Sequence, residues 1–361
     1  MNHRKEKALN IMKDKQIDIL VLTAGENLRY ITNNKFSESE RLLLYFLQRD
    51  GTGVYIIPEV EKLKVTLDDT EIILSYKDDE SPNNCLNQLK DMLYTSQDIA
   101  IESNKIRLFE FDFVQKLFNE NFTDAGKVMD TLRKQKDTKE IENIQQAVNI
   151  LEESLEATLP YIEIGKTEIE IAAKLEYEMR IRKSEGTPFL TVVASGHRGS
   201  LPHGRASEKI IEDGDLVVID FGSIYKGYVG DMTRTIGVGN VTQTQKKVYQ
   251  VVQKAINQSI EGIKLGKKTA EIDAIARDVI NQSGYGNYFT HRLGHGIGLN
   301  AHETPYISKV DSNIIQEGMT FTIEPGIYIE NEFGIRIEDN IVITRNGACN
   351  IMSMTHDLIL L

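Results

Sequence analysis

Apolar residues in this chain fall into short continuous runs in some places and at helical spacing in others. Residues 1–18 mix Lys, Glu and Asp with spaced apolar positions, which predicts an amphipathic helix. From there to about residue 125, strand-sized apolar runs at 17–22, 42–47, 54–57, 72–76 and 99–101 alternate with helix-like stretches, predicting a mixed sheet. Arg49-Asp50-Gly51-Thr52 is turn-forming and predicts an antiparallel hairpin between 41–47 and 53–57. These elements define an α/β domain over 1–125. Residues 126–137, carrying Arg133, Lys134, Lys136 and Asp137 around Leu132, read as a linker.

A second domain, 138–361, opens with a helix. Asp137 or Thr138 serves as its cap, and Ile141, Ile144, Val148, Leu151 and Leu155 follow the helical period. Thr167-x-x-Glu170 and Thr242-x-x-Gln245 have the capping-box pattern ahead of apolar-periodic runs, and a further helix starts near Thr269. The order is two helices, strands and turns over 189–238, two more helices, then strands and turns over 291–343. This repetition, with Lys166-Thr167-Glu168-Ile169 echoed by Lys268-Thr269-Ala270-Glu271-Ile272, predicts one motif used twice. The pattern alone would equally suit a parallel doubly wound sheet. The Lys and Glu alternation over 168–183 reads as a solvated helix face that supplies no partner. Gly294-His295-Gly296-Ile297-Gly298 lacks the strand and helix that flank a dinucleotide loop.

Composition narrows the functions available. With 361 residues, 40% hydrophobic and 27% charged, the chain reads as a soluble globular protein large enough for two cores. A formal net charge of −12 argues against a nucleic-acid partner, which calls for a basic face. No apolar run approaches the ~20 residues that cross a bilayer, and the first residues lack the apolar core of a secretory signal. No membrane partner is expected. Cys85 and Cys349 stand far apart and outside any CxxC spacing, so a disulfide framework or thiolate metal site is not expected and a reducing cytoplasm is.

The chemistry concentrates in three places. Residues 215–222 read as a buried strand ending in Asp220-Phe-Gly, and a carboxylate there must be paired, protonated or bound to a cation. Asp231 follows after Gly222, Gly227 and Gly230, a spacing that suits a hairpin returning it beside Asp220. Near the C-terminus, Thr320-Phe-Thr-Ile-Glu324-Pro-Gly and Gly334-Ile-Arg-Ile-Glu338 repeat the arrangement, with Arg336 and Glu338 on one strand face and Ile335 and Ile337 on the other. Between the hairpins, His291, His295 and His302 are three of the chain's seven histidines. Singly, an Asp at a strand end is more often a turn or cap residue. Together, one imidazole among four carboxylates is a first-row transition-metal set. It can hold two divalent ions ~3.5–4 Å apart.

These residues resemble the pita-bread metallopeptidases, the fold shared by methionine aminopeptidase, aminopeptidase P, prolidase and creatinase, over nearly the whole chain. The family's two Asp, one His and two Glu fall in order on Asp220, Asp231, His295, Glu324 and Glu338. Leu201-Pro202-His203-Gly204, the flanking His291 and His302, and Arg336 two residues before Glu338 resemble the proline-specific branch.

The resemblance implies an α/β creatinase-like N-terminal domain followed by an α+β pita-bread catalytic domain. It implies two divalent metal ions per subunit, Mn(2+) first, with Co(2+), Zn(2+) or Fe(2+) as alternatives. The reaction implied is hydrolysis of Xaa-Pro bonds by a hydroxide held between the metals, in dipeptides as in prolidase or in longer peptides as in aminopeptidase P. Glu324 is then both ligand and general base. His203 and His302 contact the substrate carbonyl and tetrahedral intermediate, and His291 and Arg336 shape the pocket around a small peptide with proline second. A cytoplasmic homodimer is also implied. Another aminopeptidase specificity, or a non-enzymatic pita-bread module that binds peptide or protein, are the competing readings. The sequence departs from the pattern at Gly230, where Ser is frequent, and at Asn300-Ala301, where an acidic residue and Val are frequent. His3, His197 and His356 receive no catalytic role.

Overall fold

The computed structural model describes residues 3–93, 98–118 and 122–361. The chain divides into two compact units, Met1–Arg133 and Lys134–Leu361.

In the first unit the order is α1 (His3–Asp14), β1 (Ile19–Thr23), α2 (Glu26–Thr32), β2 (Leu44–Gln48), β3 (Gly53–Pro58), β4 (Glu71–Tyr76), α3 (Leu86–Met92), β5 (Ile99–Ile101), α4 (Leu108–Leu117), β6 (Phe122–Asp124) and α5 (Gly126–Lys134). Among the described residues they make one mixed sheet, ordered β4-β3-β2-β1-β5-β6. The expected hairpin is present, with β2 and β3 antiparallel and Leu47 opposite Gly53. Its tight turn uses Gly51 at φ 90°. Strands β1, β2 and β3 are buried along their whole length, which is why they appear in the sequence as continuous apolar runs.

Residues 126–137, expected to be a linker, are largely the helix α5. Its charged residues conceal an apolar stripe: Val128, Met129 and Leu132 sit at helical spacing and are buried. Tyr30 Oη donates to Leu132 O at 2.9 Å, and Arg133 Nη1 donates to Asn27 Oδ1 at 2.6 Å, so the helix is part of the first unit.

The second unit contains α6 (Thr138–Thr158), α7 (Glu168–Ile181), β7 (Val192–Ser195), β8 (Leu216–Tyr225), β9 (Tyr228–Gly237), α8 (Gln243–Gly262), α9 (Thr269–Gln282), β10 (Gly294–Gly296), β11 (Glu303–Ile307), β12 (Thr320–Ile323), β13 (Gly326–Ile329), β14 (Phe333–Arg336), β15 (Asp339–Thr344) and β16 (Gly347–Asn350). Reciprocal capping boxes start α6 at Asp137/Glu140, α7 at Thr167/Glu170 and α8 at Thr242/Gln245. The duplicated layout is visible in the cores. Leu151, Leu155 and Leu175 of α6 and α7 pack with Val217, Ile219 and Phe221 of the sheet β7-β8-β9. Val252, Ile256, Ile272 and Ile280 of α8 and α9 pack with Phe321, Ile323, Ile335 and Ile341 of the second strand layer. The expected solvated face of α7 is present at Glu170, Glu176 and Arg180, which are exposed. One correction applies to it: Glu168 and Glu178 are both buried. Cys85 and Cys349 are free thiols. No helix among the described residues is long and apolar enough to cross a membrane.

Candidate metal centre

The site lies on the strand faces turned away from the helices. Along β8, Val217, Ile219 and Phe221 join the helix-side core, so by alternation Asp220 and Gly222 take the other face. On β9, Met232 and Ile236 face the helices while Asp231 and Thr233 do not. The register pairs Gly222 with Asp231 and Asp220 with Thr233, which brings the two aspartates diagonally together. A two-residue turn sets that register: Lys226 and Gly227 both have positive φ, 48° and 83°, the signature of a type I′ hairpin. Gly230, where the sequence departs from the family pattern, packs on α6 so closely that a Cβ would lie 2.9 Å from Val148 N.

The second pair of carboxylates comes from a broken ribbon rather than a continuous one. Ladder pairing holds between β12 and β15 up to Ile323 and Asp339, and resumes between β13 and β14 at Gly326 and Arg336. Pro325, which has no N–H to give, sits in the gap. The backbone groups freed there bond elsewhere: Glu324 N donates to Leu293 O at 2.8 Å, and Glu338 N to Thr233 O at 3.0 Å. Glu338 thereby joins the two halves of the unit, while Ile335 and Ile337 pack into the core and Arg336 and Glu338 line the cavity.

Asp231, His295 and Glu338 each offer a ligand atom within 4.8 Å of the others. His295 Nδ1 is 3.1 Å from Gly296 O, so it carries a proton there. Nε2 faces Glu324 Oε1 at 3.2 Å and Asp231 Oδ2 at 4.0 Å. Asp231 Oδ1 and Glu338 Oε1 are buried without a hydrogen-bond partner among the described residues. Burial, and after it the charges of neighbouring carboxylates, pushes Asp231 and Glu338 well above the usual carboxylate range. Asp220 is raised by burial as well. Burial would also raise Glu324, but the hydrogen bond and charge of His295, then His291 and Arg336, hold it at about 2. Crowded anions with unshared oxygen lone pairs fit a divalent cation, which would satisfy both the lone pairs and the charge.

The centre forms the wall of a cavity of about 840 Å³, which His203, His291, His302 and Arg336 also line. His302 packs against His295 with ring centroids 4.0 Å apart and planes tilted by 57°. Burial of its ring, then the charges of His295 and Arg292, lowers it to about 4 and leaves it neutral. His291 Nδ1 donates to Arg292 O at 2.7 Å, so its Nε2 accepts from Tyr328 Oη at 2.9 Å. Burial lowers His291 too. Arg336 is largely committed within the protein: Nη2 donates to Asp220 Oδ2 at 2.6 Å, Nη1 to Tyr328 Oη at 2.6 Å and Pro202 O at 3.2 Å, and Nε to Thr233 Oγ1 at 3.1 Å.

Several contributing residues escape a reading of the sequence. Thr233 Oγ1 donates to Glu338 Oε2 at 2.7 Å, and Asn340 Oδ1 accepts from Asp231 N at 3.3 Å. Both had a usable signal, since each lies two residues beyond an expected ligand, Asp231 or Glu338, in the same extended stretch. Tyr328 and Arg292 had none. His356, given no catalytic role, lies behind the centre with Nε2 2.6 Å from Asp339 Oδ2.

Comparison with known proteins adds the family. Residues 142–345 match Metallopeptidase family M24, and residues 4–135 match the Creatinase/Prolidase N-terminal domain. An Xaa-Pro dipeptidase of Pyrococcus furiosus is 37% identical over 360 residues, covering 99% of this chain and 100% of that one. The crystal structure of a dipeptidase from Pyrococcus horikoshii OT3 superposes with a TM-score of 0.94 at 34% identity, covering 99% of this chain and 100% of that one. An X-Pro aminopeptidase from Thermotoga maritima MSB8 gives a TM-score of 0.87 at 32% identity, with 99% of each chain covered.

Proposed function

The chain belongs to metallopeptidase family M24, and from that premise we propose that it hydrolyses Xaa-Pro bonds with dipeptides as its substrates. The observation that carries the metal part is the pair of buried, unpartnered oxygens, Asp231 Oδ1 and Glu338 Oε1, beside His295. Asp220, Asp231, His295, Glu324 and Glu338 would hold two divalent ions, manganese in our reading, which supply an acidified water and Lewis acidity toward a peptide carbonyl.

The chain's own groups do the rest. Glu324, held ionised, takes the proton of the attacking water. His302 Nδ1 faces Arg292 Nη2 at 3.5 Å, which leaves its Nε2–H to donate toward the oxygen on which negative charge develops. His203 lines the cavity where it can share that task. The His291–Tyr328–Arg336 chain forms a wall against which a proline ring packs.

Dipeptides are favoured over longer peptides by the arginines. Arg336 spends four of its donor hydrogens on protein acceptors. Arg292, also lining the cavity, lies over the Tyr306 ring at 4.5 Å and has no carboxylate partner among the described residues. A free cation there suits the carboxylate that a dipeptide carries one residue beyond the scissile bond. The relatives named as dipeptidases point the same way. Manganese, a homodimer and a cytoplasmic location complete the reading and rest on the family pattern. Sedimentation showing only monomer would remove the dimer.

The deciding experiment strips the metal, restores manganese, cobalt or zinc separately, and compares an Xaa-Pro dipeptide with an Xaa-Pro-Xaa tripeptide. We expect the dipeptide to be cleaved and the tripeptide spared. Cleavage of the tripeptide alone moves the protein to the aminopeptidase P type. No cleavage with any metal, and no difference between the parent and Asp220→Ala, would end the Xaa-Pro reading.

A further inference from the structure

Glu168 stands outside the cavity, at the first position of α7, with its side chain fully buried. Its two oxygens serve five donors. Oε1 accepts from Ser195 N at 2.7 Å and Ser195 Oγ at 2.9 Å. Oε2 accepts from Ser207 N at 3.0 Å, Ser207 Oγ at 2.7 Å and Arg198 Nη1. Ser195 ends β7, and Ser207 lies beyond His203, so one carboxylate ties both ends of the segment 196–206. Arg198 spans the same segment, donating from Nη2 to Arg205 O at 2.9 Å. His203 sits on it, exposed and lining the cavity.

The segment has reason to need an anchor. It contains Gly196, Gly199 and Gly204, and glycine leaves the backbone free to leave its native path. The other half of the unit repeats the device with different residues. Asp273 of α9, also fully buried, accepts from Arg277 Nε at 2.8 Å, Arg277 Nη2 at 2.9 Å and Leu293 N at 3.2 Å. Arg277 passes the restraint on, donating to Phe289 O at 3.2 Å and His291 O at 3.0 Å. In each half a buried carboxylate on the second helix of the pair holds a loop that carries a cavity histidine.

We propose that Glu168 is a positioning residue whose buried carboxylate anchors both ends of the 195–207 loop and so presents His203 to the substrate. The proposal rests on the Xaa-Pro peptidase reading only for the role of His203. A carboxylate is needed because every partner is a donor. Glutamine in its place turns one oxygen into an NH2 group, which then points at the donors of Ser195 or at those of Ser207 and Arg198. One end of the loop is released, and small displacements of a substrate-facing group are expensive in rate.

The test uses the metal-loaded full chain and four variants: Glu168→Gln, Ser207→Ala, His203→Ala and the Glu168→Gln/His203→Ala double. Glu168→Gln is expected to keep its metal content while kcat/KM for an Xaa-Pro dipeptide falls roughly tenfold to a hundredfold. His203→Ala should lose a similar amount, and the double variant should be no worse than His203→Ala by more than about twofold, the non-additivity of groups that act as one. Ser207→Ala, which removes one donor and no charge, should lose less and be absorbed in the same way; it carries the test if Glu168→Gln does not fold. Without substrate, trypsin should cut after Arg198 or Arg205 about ten times faster in Glu168→Gln than in the parent, because loop opening governs cleavage.

The proposal is overturned if Glu168→Gln stays within about twofold of the parent, if its loss multiplies with that of His203→Ala, if His203→Ala keeps full activity, or if trypsin cleavage is unchanged. Should the parent cleave no Xaa-Pro peptide at all, the substrate reading fails, and the trypsin comparison alone still decides whether Glu168 anchors the loop.

Discussion

The floor of the cavity and the N-terminal end of α7 both take carboxylates out of water, and they treat them in opposite ways. At α7, Glu168 is surrounded by donors from Ser195, Arg198 and Ser207. At the cavity, Asp231 Oδ1 and Glu338 Oε1 are buried with no partner among the described residues, and their nearest charged neighbours include further carboxylates. An uncompensated buried anion costs several kcal/mol, so two carboxylates that each leave an oxygen unshared side by side fit a divalent cation between them. Glu168, with donors on both oxygens, is built as a tether, whereas Asp231 and Glu338 each keep one buried oxygen open, as a metal ligand would.

The sharpest way to break that contrast is activity. Asp231→Ala should lower hydrolysis by roughly 10³-fold or more, and chelation should do the same to the parent, reversibly on returning metal. Glu168→Gln, by contrast, should retain measurable turnover. A chelated parent that remains fully active would erase the distinction. The next effect is in stability: metal at about a hundred times its dissociation constant should raise the unfolding free energy by about 2.7 kcal/mol for each ion bound, read from urea melts with and without metal. No shift in the melt would mean that the anions are relieved in some other way.

In the metal-free protein the contrast inverts. Glu168→Gln should cost about 2 kcal/mol, since donors lose their acceptor. Asp231→Asn, which removes a repelling charge, should stay within ~1 kcal/mol of the parent or gain stability. Equal losses from the two substitutions would contradict it. The smallest effect concerns Thr233, whose hydroxyl orients Glu338 at 2.7 Å. Thr233→Val should weaken metal binding about tenfold, measured by competition with a coloured chelator, without unfolding the protein.

How far the site could be read in advance follows the same physics. Asp220, Asp231, Glu324 and Glu338 stand out in the sequence because charges inside apolar strand runs are conspicuous, and strand alternation correctly assigns Arg336 and Glu338 to one face. The helix starts at Thr167 and Thr242 are equally plain, because a capping box is closed within four residues. Glu168 reads as one more acid on a polar helix because its partners, Ser195 and Ser207, lie 27 and 39 residues away. The helix α5 is hidden for a related reason: Arg133 and Lys134 draw attention from Val128, Met129 and Leu132, whose burial depends on the rest of the first unit. The break at Pro325 is visible as a proline, but that it frees Glu324 and Glu338 to bond across to Leu293 and Thr233 is a property of the assembled sheets.

That cross-bonding also dictates when the centre can exist during synthesis. Asp231 leaves the ribosome 107 residues before Glu338 (338 − 231 = 107), an interval of roughly 5–20 s at ordinary translation rates. Until then the hairpin β8–β9 has neither the Glu338 N–H that joins it to the far strand nor the Asn340 amide that holds the Asp231 backbone. The cluster of Asp231, His295 and Glu338 is thus completed by nearly the last strand to be made, and a metal that needs all three would be captured as the unit closes instead of seeding it.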